Sequence, residues 1–388
     1  MLNTALLCQH IPLGIALSGG SDSSALLTLA VDALGAENLR AVTVNHGLRD
    51  EAALEALAAK QLCAQLGVAH DTLDLHVAAG SGLQARARGA RYDALCAWAR
   101  ESGVSALALG HTQNDVAETF MMRLARGSGV DGLAQMPARF EREGTLFLRP
   151  LLDATRSDLQ SMLRGRGILW STDPSNADPR FARVLARNAG PELAALGLTQ
   201  ERLSQSAKWM RAACEVLEHA ADAWIARHAQ GAHGDAVFDL AELRRCPEET
   251  AGRVLTRALC AISGKPYRPR YNALAEMMET YAGRTLHGCL IYRHKATLRI
   301  TRELNAMTPG DTKRWVISGP LTANHTIAPL TEAGLSQVTD WRATALLPRR
   351  SLLASPAIWQ GRSLVAAPLA APDGTWSAAA PNPLHLAK

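Results

Sequence analysis

The stretch Leu13-Gly14-Ile15-Ala16-Leu17-Ser18-Gly19-Gly20-Ser21-Asp22-Ser23-Ser24 decides the fold. Its first five residues are a short apolar run of strand length, and a helix with apolar residues at helical spacing follows over 23–34. Between them lies a glycine-serine turn. Glycines at 19 and 20 permit positive φ and let backbone N–H groups converge on an anion. The positive end of the helix dipole and the serine hydroxyls add donors. Ser18, Gly19, Gly20, Ser21, Asp22, Ser23 and Ser24 are therefore the candidate ligands of a nucleotide's phosphates. Asp22 repels phosphate unless a cation lies between them, so it is also the candidate ligand of a Mg²⁺ ion. The loop lacks the G-x-x-x-x-G-K-[ST] pattern of a Walker A motif. The competing reading is a helix-capping turn with Ser21 and Asp22 as caps.

Outward from this loop the pattern repeats. Residues 39–45, 68–75 and 104–110 read as strands, and 51–66 and 83–101 as helices. Such alternation predicts an α/β domain, a parallel sheet with helices on both faces and ligands at the carboxyl ends of its strands. After a helix at 181–188, a boundary is expected near Gly190-Pro191. Residues 200–285 look mainly helical, with 203–229 and 272–281 the clearest helices. From about 286 the runs become short and alternating, at 289–292, 296–300 and 315–318, which predicts a small α+β terminal domain. The expected division is a catalytic ATP-binding domain at 1–190, a helical domain at 191–285 and a C-terminal domain at 286–388. The Ala- and Pro-rich tail after Ala366 is expected to be loosely ordered.

Composition narrows the classes. With 388 residues, 47% hydrophobic and 20% charged, the chain suits two or three soluble domains. No apolar run approaches about 18 residues, so no membrane span is expected. The first ten residues lack a positively charged segment before an apolar core, so no secretory signal is expected. Seven scattered cysteines without a C-x-x-C pair argue against a zinc ribbon, an iron–sulfur site or a disulfide framework, and suit the cytoplasm. Residues 1–200 carry 18 basic against 20 acidic side chains, whereas 201–388 carry 23 against 16. A nearly neutral first half before a basic second half suits a catalytic domain followed by a part that meets a polyanion, though scattered surface charge reads equally well.

The loop fits S-G-G-x-D-S, the signature of the PP-loop ATP pyrophosphatases, which cleave ATP between the α and β phosphates and transfer AMP to an oxygen. Four further segments narrow the likeness: Asn45-His46-Gly47-Leu48-Arg49, Ala87-Arg88-Gly89-Ala90-Arg91-Tyr92, Gly110-His111-Thr112-Gln113-Asn114-Asp115-Val116-Ala117-Glu118-Thr119, and Asp173-Pro174-Ser175-Asn176 followed by Arg180, Arg183 and Arg187. Over about 13–190 they closely resemble the tRNA(Ile)-lysidine synthases. The resemblance implies a two-step reaction with ATP and Mg²⁺. First, the carbonyl oxygen at carbon 2 of the wobble cytidine, in an isoleucine tRNA with a CAU anticodon, attacks the α-phosphate and releases pyrophosphate. The ε-amine of free lysine then attacks carbon 2 and displaces AMP. Basic residues of the second half would bind the tRNA. The oligomeric state stays open, a homodimer among the alternatives.

Candidate roles follow residue by residue. At helical spacing Asp115, Glu118 and Thr119 share one face and Val116, Phe120 and Leu124 the other. Two carboxylates three apart can hold the ammonium of free lysine and take its proton. Their structural alternative is a capping box from Thr112 to Asp115. His111, at the mouth of the sheet, is a candidate nucleotide contact, as is His46. Arg88 and Arg91 can hold phosphate or the adenylate, and the resemblance favours Arg91 as catalytic. It also implies a loop at 173–176 closing the site, with Arg183 and Arg187 near RNA or phosphate. Thr112-Gln113-Asn114 stands where the family often has histidine and acidic residues, which weakens a metal role there. The rivals are another PP-loop tRNA-modifying enzyme and a non-catalytic nucleotide-binding protein. Against a thiolase stands Cys96, the cysteine nearest any motif, which reads as core.

Overall fold

The computed structural model describes residues 1–45, 51–75, 80, 83–171, 182–281, 283–308 and 311–384. The chain divides into two compact units, Met1–Cys214 and Glu215–Lys388. The first contains β1 (Leu13–Ala16), α1 (Ser21–Leu34), β2 (Leu39–Asn45), α2 (Glu51–Leu66), β3 (Ala69–Asp74), α3 (Leu83–Ser102), β4 (Ala106–Leu109), α4 (Gln113–Leu124), α5 (Val130–Leu133), β5 (Arg139–Arg142), β6 (Thr145–Leu148), α6 (Arg156–Gly165), α7 (Ala182–Asn188) and α8 (Gly190–Ala195). The helix α9 (Gln200–His228) runs across the division.

The sheet has the order β3-β2-β1-β4-β6-β5, parallel except for β5. All four residues of β1 and of β4 are buried, as expected for central strands covered on both faces. On one face α1, α2 and α6 pack Leu26, Leu27, Cys63, Leu159 and Leu163 against Leu13 and Ile15. On the other, α3 packs Tyr92, Leu95, Cys96 and Trp98 against Ala16, Val42 and Leu107. Each such large side chain contributes about 1.5–3 kcal/mol when fully buried. Cys96 is therefore core, with no exposed surface, and burial pushes its thiol pKa up. A Cβ on Gly14 would lie 2.8 Å from Leu107 and 3.0 Å from Trp98, so glycine there lets this layer close. The chain winds from β1 to β2 and β3 on one side and to β4 on the other. The reversal of strand order opens a crevice at the carboxyl end of β1, where ligands bind in such sheets.

After the end of α9 the second unit forms a hairpin that the helical pattern around it concealed. β7 (Ala229–Ala232) pairs with β8 (Asp235–Asp239), and His233-Gly234 between them have φ of 47° and 81°. Two left-handed residues make the two-residue turn that suits strand twist. Residues 200–285 are thus not helical throughout. After α10 (Leu240–Arg245), α11 (Glu248–Ser263) and α12 (Tyr271–Thr280), the strands β9 (Arg284–Leu286), β10 (Cys289–His294) and β11 (Thr297–Arg302) complete an antiparallel sheet of order β7-β8-β11-β10-β9. The described part of the tail after Ala366, residues 367–384, is not loose. Leu369, Ala370 and Trp376 are buried, and Ser377–Ala379 pairs with Val316–Ser318. Its apolar side chains fill a core with Leu330 and Leu352, which overrides the composition. Among the described residues no helix is long and apolar enough to cross a membrane.

Candidate active site

The phosphate-loop sequence forms a tight hook between β1 and α1. Gly19 has φ 79°, and Ser23 Oγ donates to the Gly20 carbonyl at 3.1 Å while accepting from the Ser18 N–H at 3.1 Å. Ser21 Oγ donates to Asp22 Oδ1 at 3.0 Å. No side chain caps α1 at Gly20, so its first-turn amides face whatever anion enters. Gly110, just past β4, lies so close to this hook that a Cβ would sit 3.0 Å from Asp22 and Ser23 backbone atoms. The end of β4, and the helix it starts, are thereby held against the loop.

A cavity of about 770 Å³ opens here, within the usual size of small-molecule sites. Ser18, Gly20, Ser21, Asp22, Ser23, Arg88, Arg91, His111, Asp115, Arg183 and Arg187 all line it. Gly19 and Ser24 do not. Gly19 supplies the turn, and Ser24, 1% exposed on the core side of α1, donates its N–H to the Gly20 carbonyl. Glu118, 4% exposed, sits behind the arginines. His46, Arg49, Asp173, Pro174, Ser175, Asn176 and Arg180 lie outside the described residues.

The capping reading of α4 is met, and it leaves one oxygen of Asp115 toward the cavity. The Thr112 N–H and hydroxyl donate to Asp115 Oδ2 at 2.8 and 3.0 Å, which caps the helix. Its other oxygen, Oδ1, has Arg156 and Arg183 nitrogens at 3.8 Å. Glu118 Oε1 accepts from Arg187 Nε at 2.9 Å, and its Oε2 has Arg183 Nε at 3.4 Å. Helix α7 packs on α4, which is what brings both arginines here. The opposite face of α4 seats Val116 and Phe120 with Leu152 and Ala207, whereas Leu124 is exposed.

Electrostatics follow from this burial. Burial opposes ionisation of Asp115, but the His111 ring, the Thr112 amide and the Arg156 and Arg183 guanidiniums outweigh it and hold its carboxyl below the ordinary carboxylate range. Burial pushes His111 down to about 4, against the pull of Asp115 and helped by Arg149, Arg91 and Arg183. At neutral pH the ring is uncharged, so the amide and the arginines keep Asp115 ionised. The His111 Nδ1 is buried without a hydrogen-bond partner among the described residues.

The residue that organises the site was not among the sequence candidates. Arg156 Nε donates to Asp22 Oδ2 at 2.9 Å, while its Nη2 and Nη1 lie 3.8 Å from Asp115 and 3.7 Å from Glu118. One guanidinium thus joins carboxylates from two helices. Its backbone N–H donates to Asn114 Oδ1 at 2.8 Å, and α6 packs along α1. Burial opposes the charge, but Asp22, Asp115 and Glu118 outweigh it and raise the pKa further. The available signal was position: an arginine at the first residue of a helix stands against the dipole. Gln160, Trp170 and Ser171 also line the cavity unforeseen, with Gln160 Nε2 3.4 Å from Ser21 Oγ.

A Mg²⁺ ion fits this donor set. Asp22 offers a carboxylate beside an uncapped helix start, and such ions take one or two carboxylates with phosphate oxygens completing the shell.

Comparison with known proteins gives the family. A family model described as a PP-loop domain matches residues 3–193. A tRNA(Ile)-lysidine synthase from Ruegeria pomeroyi is 39% identical over 379 residues, covering 94% of this chain and 90% of its own. The enzyme of that name from Rhodopseudomonas palustris is 41% identical over 73% of this chain and 85% of its own. Among solved structures, a U34-tRNA thiolase from Methanococcus maripaludis covers 51% of this chain and 71% of its own at 18% identity, with a TM-score of 0.44.

Proposed function

The chain belongs to the tRNA(Ile)-lysidine synthase family and is an ATP-dependent ligase that forms lysidine on tRNA(Ile), and from that premise we propose how its residues divide the work. ATP lies with its phosphates on the Ser18–Ser24 hook and its α-phosphate toward the cavity. Mg²⁺, held by Asp22, would supply charge neutralisation for the triphosphate. The cytidine O2 attacks the α-phosphorus in line with the departing pyrophosphate. Charge developing on that leaving group faces the first-turn amides of α1, which are fixed before reaction and need no reorganisation. Arg88 and Arg91 hold the adenylate from the α3 side, with His111, uncharged, against the nucleotide.

In the second step the ε-amine of lysine adds to carbon 2 of the cytosine, and the bond from carbon 2 to the adenylate oxygen breaks to release AMP. Asp115 Oδ1 and Glu118 receive the ammonium. Carboxylates raise an amine's pKa, whereas the nucleophile must be neutral, so proton transfer to a carboxylate accompanies attack. Arg183 and Arg187 screen the pair and meet phosphate. Residues 1–190 act as the catalytic part, and 191–285, with 12 basic against 12 acidic side chains, together with the basic 286–388, with 11 against 5, grip the isoleucine tRNA with its CAU anticodon. Seven free cysteines suit a reducing cytoplasm.

The observation that carries this reading is the convergence of Asp22, Asp115 and Glu118 on one guanidinium beside the phosphate hook. The test is incubation with ATP, Mg²⁺, radiolabelled lysine and unmodified isoleucine tRNA. Label entering RNA only with ATP present is expected; tRNA-dependent pyrophosphate release without lysine transfer would redirect the substrate assignment.

A further inference from the structure

Three carboxylates and three guanidiniums meet at this site: Asp22, Asp115 and Glu118 against Arg156, Arg183 and Arg187. Arg88 and Arg91 line the same cavity, so among the described residues positive charge is in excess before any ligand arrives. An ammonium entering beside Asp115 and Glu118 therefore gains little until a guanidinium leaves. Among the described carboxylates, Arg183 and Arg187 of α7 reach those of α4 and not Asp22. Arg156 differs, because among the described residues it alone touches both Asp22 at the phosphate hook and the Asp115/Glu118 pair.

We propose that Arg156 is a positioning residue that couples the two substrate sites, occupying the lysine carboxylates until ATP draws its guanidinium to the phosphates. The proposal rests on the ligase reading given above. Its physical basis is competition. A triphosphate on the hook presents a denser negative charge than Asp115 and Glu118, and guanidinium binds phosphate oxygens in the same forked geometry as carboxylate oxygens. A cation held by Asp22 works in the same direction, by competing for the carboxylate that Arg156 grips most closely. The base of the side chain need not move, since the Arg156 N–H stays bonded to Asn114 while the guanidinium swings. With the guanidinium gone, the place it held between Asp115 Oδ1 and Glu118 Oε1 is open, and the lysine ammonium takes it beside Arg183 and Arg187. Lysine then enters after nucleotide, which keeps an amine nucleophile away from the site until there is ATP to react.

Coupling of this kind is reciprocal and is read as a ratio of affinities. Lysine binding to the full chain is measured by calorimetry with and without α,β-methylene-ATP and Mg²⁺. In the wild type the nucleotide should tighten lysine binding by about tenfold or more, within the usual range of such couplings. Arg156→Gln should bind lysine without nucleotide better than the wild type does, and its ratio should fall to within about twofold of one. Arg156→Lys keeps the charge without the fork and should give an intermediate ratio; it decides the matter if the glutamine variant does not fold. A purely structural role would weaken both ligands and leave the ratio unchanged, which overturns the proposal. Labelled-lysine incorporation by the same wild-type preparation separates the two claims. Incorporation with a ratio of one overturns the coupling alone, whereas absence of both binding and incorporation overturns the ligase reading with it.

Discussion

Two buried acid–arginine groupings, one in each unit, differ in how completely they close. In the second unit Asp235, 2% exposed, accepts from Arg299 Nη1 at 2.7 Å and from Ser351 Oγ at 2.5 Å, and Tyr292 OH donates to Ser351 at 2.6 Å. Each donor has an acceptor, as a buried network requires. In the first unit the contacts of Arg156 with Asp115 and Glu118 are 3.7–3.8 Å, too long for hydrogen bonds. Among the described residues, His111 Nδ1, Gln113 Oε1 and Glu118 Oε2 are buried without hydrogen bonds. The closed network fastens a fold. The open one faces a cavity and holds unmet bonding capacity for ligands.

The sharpest way to break this contrast is at Asp22. Asp22→Asn should lower tRNA-dependent pyrophosphate release by about four orders of magnitude, near 5 kcal/mol, because it removes the anchor for the ion that screens ATP. Thermal unfolding should shift by no more than about 2 °C, since the open site holds little of the fold. Unchanged pyrophosphate release would remove Asp22 from the metal role.

Asp235→Ala is the converse. It leaves Arg299 buried without its partner, and stability should fall by about 3–5 kcal/mol in denaturant titration. Lysine transfer per folded molecule should be unchanged. A loss of turnover without a loss of stability would mean that the second unit's network serves the reaction.

Smaller again is the pair on α4. Asp115→Asn with Glu118→Gln should slow lysine transfer about a hundredfold, near 3 kcal/mol, and adenylation tenfold or less. Asparagine keeps an oxygen to accept from Thr112, so the cap of α4 largely survives. Equal loss in both half-reactions, measured separately, would assign the pair to ATP rather than to lysine.

Legibility in the sequence followed the range of the signal. The strand, hook and helix at 13–34 were readable because strand length, glycine chemistry and helical spacing are local. Asp115 and Glu118 were readable from three-residue spacing on one helix. Arg156 was not, because its partners Asp22 and Glu118 lie 134 and 38 positions away in the chain, and the packing of α6 on α1 and the Arg156–Asn114 hydrogen bond to α4 bring them together. The hairpins fell between these cases. Glu143-Gly144, His233-Gly234 and His287-Gly288 each have two positive φ values and each turns one strand into the next. The X-Gly pair was a usable turn signal. At 233–234 it was masked by the periodicity of α9, and at 143–144 by the charged Arg-Glu pattern around it.

The finest test separates the two groupings by pH. His111 sits at about 4 in the folded chain, chiefly through burial, against about 6.5 when unfolded. A depressed pKa means that the unfolded state takes the proton first, so this stabilising contribution to the first unit is full above pH 6.5 and is lost as pH falls toward 4. The depressed Asp115 acts in the same sense at lower pH. Asp235 is the opposite case. Burial raises it to about 6 from 3.8, against the hydrogen bonds from Ser351, Thr301 and Arg299. The folded state takes that proton first, so stability is gained as pH falls through 6 and is complete below about 4. Between pH 6 and 4 the units should therefore move apart, each by on the order of 2 kcal/mol. Hydrogen exchange, corrected for its intrinsic pH dependence, measures this in peptides of β1 and β4 against peptides of β8 and β11. Protection should fall roughly thirtyfold in the first set and rise in the second. Asp235→Asn should flatten the second trend, and His111→Gln the first. Parallel loss of protection in both sets would mean that general acid unfolding governs the chain and that the two buried groups do not set its pH response.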